Sequence, residues 1–152
     1  MGAQQSPARP QRSDAATGKP RVLVVEDDED TSDMVAAFLR LQGFEVAIAR
    51  NGVEGLAAAP DSFDAVTTDL EMPCMDGCEF IQRLRSLPIK PVPIIVMTAQ
   101  TLDPSMAGQL ASCRVMTKPF DLEVLVRLLR SLLAECRHDH RCGATCRPNA
   151  AA

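Results

Sequence analysis

The chain has 152 residues, 46% of them hydrophobic, with no Trp, no Tyr and a formal net charge of −4. That length gives one domain with room for a proper core, built from Val, Leu, Ile, Ala, Met and a few Phe. The acidic balance argues against a nucleic-acid partner, no apolar run nears the about 18 residues of a membrane span, and no secretory h-region follows the N-terminus. A cytoplasmic location with reduced cysteines is the default expectation. The charge is uneven: residues 1–19 and 136–152 are both mildly basic, and the stretch between them is strongly acidic.

Residues 1–19 are rich in Gln, Ser, Pro, Ala and Arg without periodicity and read as a disordered tail. The folded domain is expected over residues 20–135. Arg21-Val22-Leu23-Val24-Val25 is an apolar run without alternation, the pattern of a strand buried on both faces. It stops abruptly at Glu26-Asp27-Asp28-Glu29-Asp30. Met34, Val35, Phe38 and Leu39 then mark one face of a helix, with Gly43 as its C′ residue. Phe44, Val46 and Ile48 alternate as a second strand, and Asn51-Gly52 starts a short helix that runs to Pro60.

The third strand, Ala65-Val66-Thr67-Thr68, ends on the single carboxylate of Asp69. Met72-Pro73 and Asp76-Gly77 behind it are loop and turn chemistry, with Asp76 placed to cap a helix whose inward residues are Phe80, Ile81 and Leu84. Pro88, Pro91 and Pro93 separate that helix from a fourth strand, Ile94-Ile95-Val96-Met97, which ends on Thr98. A weak helix is expected over Pro104–Ala111. Val115-Met116 is a short fifth strand ending on Thr117-Lys118-Pro119. Asp121 then caps a strong helix with Leu122, Leu125, Val126, Leu129, Leu132 and Leu133 on its apolar face. From Cys136 the periodicity ends, and 136–152 reads as a second disordered tail. Its Cys136, His138, His140, Cys142 and Cys146 match no standard zinc spacing.

Strands alternating with helices predict an α/β fold: a mainly parallel sheet with helices on both faces. Ligands of such sheets sit beyond the carboxyl ends of the strands. Glu26, Asp27 and Asp28 would gather there with Asp69, Thr98 and Lys118. Crowded carboxylates raise one another's pKa unless a cation intervenes, and a hard divalent ion such as Mg²⁺ takes oxygen ligands with several waters retained. An ammonium suits a phosphate oxygen and a hydroxyl supplies a donor. Together they predict a phosphoryl site around one nucleophilic carboxylate, Asp69.

The residues that carry this site also carry a family likeness. Val22-Leu23-Val24-Val25-Glu26-Asp27-Asp28, Asp69 with Met72-Pro73-Met75-Asp76-Gly77, Thr98-Ala99 and Lys118-Pro119-Phe120 resemble the receiver domain of bacterial response regulators. The resemblance covers about residues 20–135. It implies a flavodoxin-like, doubly wound, five-stranded parallel sheet of order 2-1-3-4-5. It implies Asp69 as phosphoacceptor in a two-component phosphorelay and Mg²⁺ held by Asp27 and Asp69, by Glu26 through water and by the Glu71 backbone carbonyl. Thr98 and Lys118 would contact the phosphoryl oxygens, and the Lys118-Pro119 bond would be cis. A sensor histidine kinase or histidine phosphotransfer protein would be the donor, and a protein of unstated identity would receive the signal. No enzymatic turnover is implied beyond the domain's own phosphorylation and dephosphorylation. Glu71 and Gln100 occupy the positions that tune phosphate lifetime in the family.

This chain departs from the pattern in three ways. Val115 stands where receivers usually carry an aromatic that couples to the Thr. The stretch from Thr98 to Lys118 is slightly short, so an abbreviated fourth helix is expected. No effector domain is expected to follow. Two alternatives stand beside the receiver: a pseudo-receiver that docks partners without phosphorylation, and a haloacid-dehalogenase-like phosphohydrolase. The phosphohydrolase rests on Asp28-Glu29-Asp30-Thr31, one residue short of that family's first motif.

Overall fold

The structure, a computed structural model, describes residues 18–59 and 63–138. The described elements are β1 (Arg21–Val25), α1 (Glu29–Leu41), β2 (Glu45–Ala49), α2 (Gly52–Ala58), β3 (Ala65–Thr68), α3 (Gly77–Ser86), β4 (Ile94–Thr98), α4 (Pro104–Gln109), β5 (Arg114–Thr117) and α5 (Leu122–His138). The strands form one parallel sheet of order β2-β1-β3-β4-β5, the flavodoxin-like topology. No described helix is long and apolar enough to cross a membrane.

The continuous apolar runs are explained by the two faces they serve. Successive strand residues point to opposite sides of the sheet, so each side needs its own apolar set. Val22 and Val24 of β1 join Ile95, Met97, Val35, Leu39, Leu125 and Leu129 on the face covered by α1 and α5. Leu23 and Val25 join Val66, Val96, Phe80, Ile81 and Leu84 on the face covered by α2 and α3. β3 is buried throughout, and the carboxylate of Asp69 follows directly at its carboxyl end.

Helix starts follow side-chain capping. Asp28, Asn51, Asp76 and Asp103 accept hydrogen bonds from Thr31 N, Glu54 N, Glu79 N and Met106 N. Asp121 accepts from Glu123 N at 2.8 Å at the start of α5. Gly43 ends α1 with φ 94, a left-handed conformation natural to glycine at C′.

Several expectations need correcting. Met34 is 53% exposed, and α1 instead buries Ser32, Val35, Ala36 and Leu39. The buried face thus mixes Ser32 and Ala36 with Val35 and Leu39, one position round the helix from the face that Met34 would need. β2 starts at Glu45, and as an edge strand it leaves Val46 and Ile48 only half-buried. α4 ends at Gln109, short of Ala111, where buried Leu110 turns the chain inward. α5 continues through His138, past the expected boundary at 135. Pro60, most of the N-terminal tail, and His140, Cys142 and Cys146 lie outside the described residues.

One core residue is chemically mismatched. Thr67 is fully buried, and its Oγ1 has no hydrogen-bond partner among the described residues. An unmet buried hydroxyl is destabilising, whereas valine has nearly the same shape without the polar atom. Thr67→Val is therefore expected to stabilise the fold by about 1 kcal/mol, read as a higher urea midpoint with an unchanged slope. A lower midpoint would show that the hydroxyl has a partner.

Candidate phosphoryl site at the carboxyl edge of the sheet

Strand register brings the site together. Val25 pairs with Thr68 and Thr98 pairs with Thr117, so the next residues, Glu26 and Asp69, leave neighbouring strands at one level. Asp69 N donates to Val25 O at 3.2 Å and Lys118 N to Thr98 O at 2.8 Å, which extends the ladder into the site.

Asp69 is nearly buried, with 7% exposure. Its Oδ1 accepts Leu70 N at 2.6 Å and Glu71 N at 3.2 Å, so the carboxylate cannot swing freely. Its Oδ2 accepts Lys118 Nζ at 2.8 Å. Lys118 Nζ also donates to Glu26 Oε2 at 3.1 Å, and Glu26 Oε1 accepts Asp28 N at 3.2 Å. The Lys118-Pro119 bond that follows is cis.

Asp27 is exposed at the rim. Glu26, Asp27 and Asp69 each present an oxygen within 4.8 Å of the others. Burial pushes Lys118 down, but its hydrogen bonds to Asp69 and Glu26 outweigh that and raise it above the ordinary lysine value. Burial holds Glu26 above the ordinary carboxylate value, with the Asp69 charge adding to it, even though Lys118 pulls the other way. The ammonium gains from two carboxylates, whereas each carboxylate has only a share of one ammonium. One Lys therefore does not balance the cluster, and an all-oxygen, negatively charged donor set fits a hard divalent cation such as Mg²⁺.

Thr98 is buried, and its Oγ1 accepts Gln100 N at 3.0 Å, a bond within its own loop rather than to Asp69 or Lys118. The Glu71 side chain turns across the mouth of the site, where its Oε1 accepts from Gln100 Nε2. Asp28, the nucleophile that a phosphohydrolase would need, is engaged as the α1 cap, with its Oδ1 2.8 Å from Thr31 N. Val115 on β5 is 40% exposed.

Two features were not legible from the motifs. Gly77 packs so tightly that a Cβ there would lie 2.2 Å from the Asp69 carbonyl oxygen and 2.7 Å from Leu70 Cα. It is the one residue type that lets α3 start this close to the Asp69 backbone. Beside the site lies a cleft of about 580 Å³, lined in part by Leu70, Met72, Met106 and Gln100. The only sequence hint of it was the expected shortness of α4.

With this geometry in hand, comparison with known proteins settles the family. Residues 22–130 match the family model described as the response regulator receiver domain, and the chain belongs to that family. It is 39% identical over 123 residues to the transcriptional regulatory protein PrrA of Mycobacterium tuberculosis, covering 79% of this chain and 52% of the relative. The chain thus spans about half the length of the curated relatives it matches. Among solved structures it resembles chemotaxis protein CheY4 of Vibrio cholerae, with 32% identity, a TM-score of 0.69, and coverage of 75% of this chain and 98% of that one. It also resembles the receiver domain of the sensor histidine kinase PA1611 of Pseudomonas aeruginosa, a structure with magnesium ion coordinated in its active-site cleft. There the identity is 27%, the TM-score 0.69, and the coverage 76% of this chain and 98% of the other.

The charge balance yields a pH-dependent prediction. Glu26 titrates higher folded than unfolded, so its stabilising contribution is present below the unfolded value and is lost as pH rises through the folded one. Removing Lys118 removes the pull that lowers Glu26. Lys118→Met should therefore destabilise the protein at pH 7.5 by about 2 kcal/mol, less than for a dry ion pair because Lys118 is a quarter exposed. The loss should shrink by pH 5. Urea midpoints at both pH values, without divalent cations, measure it; an equal loss at both would contradict the assignment.

Proposed function

We propose that this receiver domain is a phosphoacceptor: a phosphohistidine on a sensor histidine kinase or histidine phosphotransfer protein gives its phosphoryl group to Asp69. The observation that carries the proposal is the posture of Asp69. It is nearly buried, with Oδ1 fixed by two backbone N–H groups and Oδ2 facing the Lys118 ammonium. In the transfer, a carboxylate oxygen of Asp69 attacks phosphorus and the P–N bond to the imidazole breaks. The imidazole leaves with that electron pair, and an acyl phosphate remains on Asp69.

Lys118 meets the arriving phosphoryl oxygens as a point charge. Thr98 Oγ1 accepts from Gln100 N and still has its own proton to donate to a phosphoryl oxygen. Glu26, Asp27 and Asp69, with the Glu71 backbone carbonyl, would hold Mg²⁺, which when bound neutralises charge on the carboxylates and the phosphoryl oxygens. No turnover of an outside substrate is proposed. The aspartyl phosphate adds charge beside Thr98 and Lys118, shifts an existing equilibrium of the loop after β4 and of α4, and thereby alters docking to a downstream protein in the cytoplasm.

A second reading, docking without phosphorylation, is favoured by Val115, which is small and 40% exposed where family members couple an aromatic to the site. Labelling with acetyl phosphate separates the two. With Mg²⁺ the wild type should gain one phosphoryl group by intact mass, while Asp69→Ala, and wild type with a chelator, should gain none. No gain in folded wild type would leave the docking module as the function.

A further inference from the structure

Gln100 is bound at both ends. Its backbone N–H donates to Thr98 Oγ1, and its side-chain amide donates to Glu71 Oε1, 29 residues away in sequence. Glu71 N in turn donates to Asp69 Oδ1 at 3.2 Å. A side-chain bridge therefore joins the loop after β3 to the loop after β4, directly across the mouth of the phosphoryl site.

The segment held by this bridge has little else to hold it. α4 is six residues long and buries none of them. Leu102 and Met106 pack only partly against the core, and Leu110 beyond the helix is the first fully buried anchor. Val115 on the adjoining strand β5 is itself 40% exposed. A segment with few buried contacts opens easily, so one hydrogen bond at its start carries unusual weight.

We propose that the Glu71–Gln100 bridge is the tether that keeps the β4–α4 loop and α4 in the unphosphorylated arrangement, and that charge arriving at Asp69 releases it. The proposal rests on the phosphoacceptor function above and goes beyond phosphate lifetime, since it assigns the pair a role in the conformational equilibrium. The physical cause is repulsion. An aspartyl phosphate carries up to roughly two negative charges where the carboxylate carried one. The Glu71 carboxylate follows Asp69 by two residues and hangs from the backbone that holds Asp69 Oδ1. When Glu71 swings toward solvent, Gln100 loses its acceptor and the loop is freed.

Hydrogen exchange by mass spectrometry over residues 99–110 of the full chain, before and after acetyl phosphate with Mg²⁺, tests this. Wild type should exchange roughly fivefold faster there once labelled, the factor that one net hydrogen bond is worth. Gln100→Ala should exchange that fast before labelling and respond no further. Glu71→Gln keeps the bridge through its amide oxygen but removes the charge, so its labelled fraction should show no acceleration. Gln100→Ala matching unlabelled wild type, or Glu71→Gln accelerating like wild type, would overturn the tether. Intact mass on the same samples distinguishes the two levels: wild type that takes no phosphoryl group overturns the phosphoacceptor function and with it the release step, while the unlabelled Gln100→Ala comparison still decides the tether.

Discussion

Everything at the working end of this protein depends on one ammonium held between two nearly buried carboxylates. Glu26 and Asp69 present oxygens within 4.8 Å of each other, a repulsion on the order of 3 kcal/mol at an effective dielectric near 20. Lys118 Nζ, 2.8 and 3.1 Å from their oxygens, attracts each by on the order of 5 kcal/mol on the same scale, before the cost of desolvation. The ammonium wins against the pair. It does not win against burial with the Asp69 charge added, and Glu26 stays above the usual carboxylate range. The site is thus folded but under-neutralised, which is what the proposed binding of a cation and then a phosphoryl group requires.

The fold delivers this arrangement at little conformational cost. Parallel strands all end at the same edge, and the register between β1 and β3 and between β4 and β5 sets the level of each side chain. Asp69 is fixed further by the backbone N–H groups of Leu70 and Glu71, and the chain can double back into α3 there because Gly77 has no Cβ to strike the Asp69 carbonyl. The firmly packed parts lie at β1 and β3, whose residues are almost all buried; the loosely anchored part lies at α4. A site built on rigid strands beside a thinly packed helix can turn a local charge change into a change of surface.

Much of this was legible in the sequence. Uninterrupted apolar runs gave β1, β3 and β4, because a strand covered on both faces has no polar side to show. The polar residues that stop each run gave Glu26, Asp69, Thr98 and Lys118. Asp76 and Gly43 carried ordinary cap chemistry and took the positions expected of them. The failures came where hydropathy is a poor guide to burial. Ser32 and Ala36 are buried in α1, while the more apolar Met34 is exposed. α5 outlasts its apolar pattern and continues through His138, since a helix already nucleated extends by one backbone hydrogen bond per added residue. The steric demand at Gly77 and the bridge from Glu71 to Gln100 depend on segments far apart in the chain, and no local pattern announces them.

The central claim is that Asp69, among several carboxylates at one edge, is the nucleophile. Borohydride reduction tests it most directly, since it converts an aspartyl acyl phosphate into homoserine and so marks the residue that carried the phosphoryl group. After transfer from a phosphohistidine donor, peptide mass spectrometry should find homoserine at position 69. Homoserine at position 27 or 28, or none in protein that had taken up phosphate, would contradict it.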